Sequence, residues 1–376
     1  MESRPSSYAP RRLLVRGTNW LGDAVMTTPA LLRLREKFPN RYIALLTPEK
    51  LRDLWLNHPA VSEIISFSPN EGVFSVAKKL RAGKFDTALV LPNSPRSAIE
   101  AYLAGIPDRI GYARPWRNFF LTRTIAPRPD AVKMQKRTIS EIQRLVSGLT
   151  QNSPALRDKT QNFSSHQSLE YLHLAAALGA NPEPIPAKLF VTSEEVEVAA
   201  RKFGLDKMSG PVLGLNPGAE YGPAKRWPIE RFIAAAKEIQ DRTNCAWILF
   251  GGKKDAEFTN QIQAAIGNGT GVFNLAGKTS LRELMALLKR CRVFLTNDTG
   301  PMHVAAALDV PVVAIFGSTS PELTGPVSSD DTRHQILRSD VPCAPCFLRE
   351  CPIDFRCMNG IGVERVVEAV VGILKG

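Results

Sequence analysis

The stretch that decides the fold runs from Val212 to Phe250 and reads VLGLNPGAEYGPAKRWPIERFIAAAKEIQDRTNCAWILF. Val212–Leu215 is a short apolar run closed by a Pro- and Gly-rich loop, the pattern of a buried strand. From Ile229 to Ile239 apolar residues return at helical spacing. Trp247–Phe250 is a second short apolar run, and it stops at Gly251-Gly252. Strand, helix and strand at these lengths make a βαβ unit, whose two strands lie parallel in a sheet covered on both faces.

The same rhythm continues in both directions. Toward the C-terminus it predicts a helix at Leu281–Leu288, a strand at Val293–Leu295, a helix at Met302–Leu308, a strand at Val312–Phe316 and a last helix at Val363–Leu374. In the first half it predicts strands at Leu13–Arg16, Tyr42–Thr47 and Thr87–Leu91. Helices are expected at Ala30–Phe38, with Leu31, Leu34 and Phe38 on one face, and at Val73–Leu80. The polar region Asp130–Gln167 reads as a helix and a mobile loop, and Leu169–Leu178 as a helix ended by Gly179-Ala180-Asn181-Pro182. The Pro-rich run Asn181–Pro186 has the composition of an interdomain linker. A chain of 376 residues exceeds one ordinary core. The expectation is an α/β protein of two doubly wound, Rossmann-like parallel-sheet domains, 1–182 and 183–376, facing a central cleft. The last helix, 363–374, is a candidate to pack back on the first domain.

A hydrophobic content of 44% with 22% charged residues excludes a disordered or fibrous chain. The net charge of +12 asks for an anionic partner. Basic residues are spread over Arg11–Arg12, Lys78–Lys79, Arg109–Arg128 and Lys133–Arg137, which suits an acidic substrate or an anionic membrane surface. No RNP, zinc-finger or helix-turn-helix pattern is present, so no nucleic-acid partner is expected. No transmembrane segment is expected either: the longest apolar stretch, Val304–Phe316, is broken by Asp309 and Pro311 and is shorter than the roughly 20 residues a bilayer requires. Met1–Pro10 is polar and lacks the apolar core of a signal peptide, which predicts a cytoplasmic chain with reduced cysteines unless they bind metal.

Ligands of open parallel sheets sit at the carboxyl ends of strands, and four candidate sites have that position. In Arg16-Gly17-Thr18-Asn19-Trp20-Leu21-Gly22-Asp23, two glycines permit a tight turn, and Asp23 either caps the next helix or serves a ligand. The spacing is neither a dinucleotide fingerprint nor a Walker loop. Asn216–Pro228 ends at a helix start and carries Lys225 and Arg226, as a phosphate-holding loop would; the alternative is a solvated basic turn. After Gly251-Gly252-Lys253-Lys254, Asp255 is a candidate for ribose hydroxyls or for a helix cap. In Asn297-Asp298-Thr299-Gly300-Pro301-Met302-His303, Asp298 or Thr299 can cap a helix whose first turn also holds His303, either structural or ligand-facing. The fifth candidate, Cys343-x2-Cys346-x4-Cys351-x5-Cys357, admits a structural zinc site, a disulfide or redox cluster, or free thiols. Cys245 and Cys291 read as core residues.

Taken together, Arg16–Pro29, Asn216–Pro228, Asn297–Leu308, Gly317–Pro326 and Cys343–Cys357 resemble the bacterial ADP-heptose glycosyltransferases of glycosyltransferase family 9, and within them the type II group. Thr18, Thr299 and Pro301 differ from the residues usual there, and none removes a group the chemistry needs. The resemblance implies a GT-B fold, with an acceptor site in the first domain and a nucleotide site in the second. It implies inverting transfer of L-glycero-D-manno-heptose from ADP-heptose to the first heptose of the lipopolysaccharide inner core, with no cofactor required for catalysis. Asp23 then matches the general base and Lys225 a donor-diphosphate contact that also serves catalysis. Asn216, Gly218, Asp255, Asp298, Thr299, Gly300 and His303 fall in the substrate-binding motifs. Because the acceptor is lipid-linked and carries Kdo carboxylates and phosphates, a peripheral position at the inner membrane is implied. Arg114, Arg117, Arg123 and Lys133–Arg137 are candidates to guide that substrate. A type I or later-acting ADP-heptose transferase, a GT-B sugar-nucleotide epimerase and a non-catalytic metal-binding module are the alternatives.

Overall fold

The computed structural model describes residues 11–132, 134–148, 163–206, 208, 210–267, 271–327 and 333–376. The polar N-terminus Met1–Pro10, Lys133 and the stretch 149–162, on which the mobile-loop expectation falls, lie outside the described residues. The chain divides into two compact units, Met1–Ala131 with Ser164–Phe190, and Val132–Phe163 with Val191–Gly376.

The first unit holds strands β1 (Arg12–Arg16), β2 (Tyr42–Pro48), β3 (Glu63–Phe67), β4 (Thr87–Val90), β5 (Asp108–Tyr112) and β6 (Arg123–Ile125). The second holds β7 (Val212–Asn216), β8 (Ala246–Leu249), β9 (Val272–Asn274), β10 (Val293–Asn297), β11 (Val312–Ile315) and β12 (Gln335–Leu337). The two sheets run in the orders β3-β2-β1-β4-β5-β6 and β12-β11-β10-β7-β8-β9. Every neighbouring pair is parallel. Each sheet is thus wound outward in both directions from its first strand, and the winding reverses between β1 and β4 and between β10 and β7.

The strands read from apolar runs are the central ones, where both faces are covered: β1, β4, β7, β8, β10 and β11 are buried almost throughout. Flanking strands such as β3 (EIISF) and β6 (RTI) carry polar residues because they are only partly covered. Leu14, Leu46, Val76, Leu80 and Val90 meet in the core of the first unit. Leu215, Phe232, Trp247, Leu295 and Val313 meet in that of the second. The last helix, Val363–Lys375, packs on the helix Ile229–Thr243 and buries Val366, Val367, Val370 and Val371 in the second-unit core. Burial of that kind contributes roughly 1.5–3 kcal/mol per side chain by transfer. Within the polar central region, Ile139–Ser147 is helical; Thr138 caps it by accepting from Glu141 N–H, and Ile142 packs on Cys343 and Cys346.

Candidate functional site

Three of the predicted loops leave β7, β8 and β10, which are neighbours in one sheet, and so meet at its carboxyl edge. Asn216 ends β7 and Asn297 ends β10, one on each side of the point where the winding reverses. Parallel sheets open a crevice at that point, and backbone N–H groups of the following helices are directed at it. Thr299 caps the helix Gly300–Ala307 by accepting from Met302 N–H. That settles which residue caps: Asp298 does not, and its carboxylate accepts from Lys225 Nζ at 2.5 Å and from Thr319 Oγ1 at 2.6 Å. Gly300 opens the helix and His303 lies buried in its first turn. Asn216 Nδ2 donates to Thr296 Oγ1 at 3.3 Å and to Thr299 Oγ1 at 3.4 Å, tying β7 to the helix start.

The loop after β7 is braced from both flanks. Asn297, fully buried, accepts from Trp227 N–H at 3.1 Å and donates to Pro217 O at 2.8 Å, so one amide holds both ends of the loop. Tyr221 donates to Phe347 O at 2.7 Å and Ala224 N–H to Arg349 O at 3.0 Å, which docks the loop on the cysteine segment. Gly222, at φ 154°, lies so close to the Arg349 carbonyl that a side chain would overlap it. Lys225 Nζ and the Arg349 guanidinium both lie over the Tyr221 ring, at 4.8 and 5.3 Å from its centre. Two cations therefore converge on the loop, Lys225 as read from the sequence and Arg349 in place of Arg226. Arg226 is turned away: it stacks 5.1 Å over Phe258 and donates to Ala219 O. Gly218 and Asp255 come together, since the Asp255 carboxylate occupies the space a Cβ on Gly218 would need. Asp255 Oδ2 accepts from Gly252 N–H at 2.9 Å, closing a turn before the helix Ala256–Ile266.

In the first unit, the loop after β1 is set by a buried arginine. Arg16 Nε donates to Glu100 at 3.0 Å, while its NH1 donates to Gly17 O and to Asn19 Oδ1 at 2.9 Å. Burial lowers the pKa of this guanidinium, and the Glu100 carboxylate opposes that effect. The helix Leu21–Met26 begins with Trp20 in the cap position and Asp23 in its first turn. Asp23 is therefore not its cap. Its Oδ1 instead accepts from Gln167 Nε2 at 3.0 Å, and the same amide reaches Tyr171 Oη at 2.9 Å. Burial, followed by the nearby Asp23 carboxylate, raises the Tyr171 pKa, so the phenol stays neutral. An amide donor orients a carboxylate without the charge of an arginine or lysine. Gln167, Asn297, Tyr221, Thr319 and Arg349 were not singled out in the sequence reading. The capping alternative for Thr299 was the local signal that could have released Asp298 for an ion pair.

Of the basic residues proposed to guide a substrate, Arg117 is not a surface charge. It is fully buried, donates to Pro92 O at 2.7 Å and to Asn93, and burial lowers its pKa to about 10. Arg123 pairs with Asp108, and Arg137 donates to Pro342 O; Lys133 lies outside the described residues. Cys343, Cys346, Cys351 and Cys357 are free thiols lining one cavity of about 20 Å³. Burial raises the pKa of Cys343, Cys346 and Cys357, the last to about 12. Among the described residues no three His, Cys, Asp or Glu side chains are arranged to hold a metal ion. Cys245 and Cys291 are buried in the core. No helix among the described residues is long and apolar enough to cross a membrane.

The family model described as glycosyltransferase family 9 (heptosyltransferase) matches residues 73–355. Lipopolysaccharide heptosyltransferase 2 of Salmonella typhimurium is 32% identical over 326 residues, covering 84% of this chain and 86% of that protein. Lipopolysaccharide heptosyltransferase 1 of Pseudomonas aeruginosa is 24% identical over 349 residues, covering 90% and 87%. The solved structure of the E. coli ADP-heptose lipopolysaccharide heptosyltransferase II superposes with a TM-score of 0.75 at 29% identity, covering 97% of this chain and 98% of that one.

Proposed function

The chain belongs to glycosyltransferase family 9, and from that premise we propose that it is an inverting heptosyltransferase of type II, using ADP-heptose as donor. It transfers L-glycero-D-manno-heptose to the first heptose of the lipopolysaccharide inner core, a lipid-linked acceptor reached at the inner leaflet. The identity to the type 2 relative exceeds that to the type 1 relative, which favours this acceptor over one lacking heptose.

The observation that carries the donor assignment is the junction of Lys225 with Asp298, beside the capped start of the helix Gly300–Ala307. ADP departs with growing negative charge. Lys225 and the backbone N–H groups at Thr299 and Gly300 meet that charge, so the leaving group is stabilised by fixed donors rather than by a metal ion. Asn216, Gly218 and Asp255 shape the nucleotide side of the same edge, with Asp255 toward the ribose and His303 toward the phosphates. Asp23, oriented by Gln167, takes the proton of the attacking acceptor hydroxyl as the new bond forms. A sugar hydroxyl is a weak nucleophile at neutral pH, and a carboxylate held in one orientation lowers the barrier to its attack.

Asp23→Ala is expected to keep ADP binding and lose transfer. Near-normal turnover in that variant would remove Asp23 from the base role. Acceptors carrying zero or one heptose, assayed with ADP-heptose, test the acceptor assignment; turnover of the heptose-free acceptor alone would overturn it. Apart from catalysis, a structural zinc at the four thiols remains a separate reading: they line one small cavity, but they would have to draw together to hold the ion, since among the described residues no three are arranged to do so. Metal analysis of the purified chain tests that reading, and a metal-free, fully active protein refutes it.

A further inference from the structure

The first unit displays an aromatic patch that the fold does not use. Trp116 is 90% exposed and Phe119 80%, three residues apart in the connection between β5 and β6. Tyr102, at the end of the helix Pro95–Leu103, joins them, with its ring centre 6.2 Å from that of Phe119. Trp116 also sits at φ 66°, a left-handed conformation that a bulky residue adopts at a cost in backbone strain. No packing of its ring repays that strain, because the side chain lies in solvent.

The charges around the patch have one sign. Residues 101–129 contain five arginines and a single acid, Asp108, which is buried and paired with Arg123. The Arg109 guanidinium lies 5.4 Å over the Tyr102 ring and donates to the backbone carbonyls of Ile106, Pro107 and Phe120. The Arg114 guanidinium donates to Ala113 O and lies 5.7 Å over the Tyr112 ring. Among the described residues neither arginine is in an ion pair, although Arg109 feels the neighbouring Asp108 carboxylate. Exposed Trp and Phe rings beside arginines held in no ion pair match a surface that is apolar a few ångströms down and negative on top.

We propose that the Trp116–Phe119 patch, with Arg109 and Arg114, docks the chain on an anionic phospholipid bilayer, the two rings inserting at headgroup depth. The assignment stands apart from the donor site, so either can fail without the other. The test is co-sedimentation of the full chain with vesicles of phosphatidylethanolamine and phosphatidylglycerol, and with vesicles of phosphatidylcholine alone. Wild type is expected to bind the anionic vesicles and to lose binding on neutral ones. Trp116→Ser with Phe119→Ser should weaken vesicle binding roughly tenfold or more, through lost apolar burial. Arg114→Gln should weaken it roughly fivefold. Both variants should melt like wild type and bind ADP unchanged, since these side chains lie outside the core. Equal vesicle binding by wild type and the double serine variant overturns the proposal. So does a wild-type dimer that becomes monomeric in that variant, which would make the patch a contact between two copies.

Discussion

The pairing of Lys225 with Asp298 separates a structural role from a functional one. The two side chains meet at 2.5 Å and are 14% and 4% exposed, so neither charge is well hydrated. Replacing Lys225 by Met leaves the Asp298 carboxylate buried with Thr319 Oγ1 as its remaining donor of the two. Losing one partner of a buried pair costs about 3–5 kcal/mol, and the retained hydroxyl puts the expected loss near the lower end. In a unit of this size each kcal/mol moves the melting temperature by roughly 2–4 °C, so Lys225→Met should melt about 6–12 °C lower. Asp298→Asn added to it removes the orphaned charge and should recover most of that loss. Donor binding follows a different rule. A charge-assisted contact to a diphosphate contributes about 1.5–3 kcal/mol, which is roughly a 10- to 150-fold change in Kd. Thermal unfolding and calorimetric ADP titration of both single variants and the double variant measure the two effects separately. Stability should be rescued in the double variant and ADP affinity should not. If ADP affinity returns together with the melting temperature, Lys225 is only a counter-ion for Asp298, and the donor assignment fails.

Three further outcomes follow from other contacts. Gln167→Leu removes a hydrogen-bond donor that orients the Asp23 carboxylate. Turnover should fall roughly tenfold with ADP affinity unchanged, and an unchanged kcat in steady-state kinetics would reduce Gln167 to packing. Gly218→Ala puts a methyl group where the Asp255 carboxylate lies, so ADP should bind more weakly. Because the two residues share one space, the Gly218→Ala/Asp255→Ala pair should bind no worse than Asp255→Ala alone, and additive losses in calorimetry would refute the shared-space account. His58 is buried against Trp55 and Phe190, and burial lowers its pKa to about 4. As pH falls from about 6.5 toward 4, the unfolded chain takes up a proton that the folded chain refuses, so stability declines by about 1.4 kcal/mol per pH unit. Relative to wild type, denaturant midpoints of His58→Gln should decline less steeply across that window, and parallel curves would count against the buried neutral ring.

Much of the architecture was legible because it is written locally. The apolar runs at β1, β4, β7, β8, β10 and β11 and the helical spacing after them leave a periodic trace in the chain. Glycine and proline marked the loops that the two winding reversals place at the sheet edges. The partly covered strands left no such trace. β3 and β6 become strands through the neighbour they pair with, and their composition is that of exposed chain.

By itself, then, the sequence determined two parallel-sheet units, the loops at their carboxyl edges and the family of the chain, since each depends on residues close together in the chain. Partnership was decided only in three dimensions. The two residues in Asn216–Pro228 that look alike, Lys225 and Arg226, part company because one meets Asp298 and the other stacks on Phe258. Asp23 finds Gln167 across 144 residues, and Asn297 holds a loop 70 residues before it. Local spacing sets which side chains an element presents, and tertiary packing alone sets which charge or amide each of them meets.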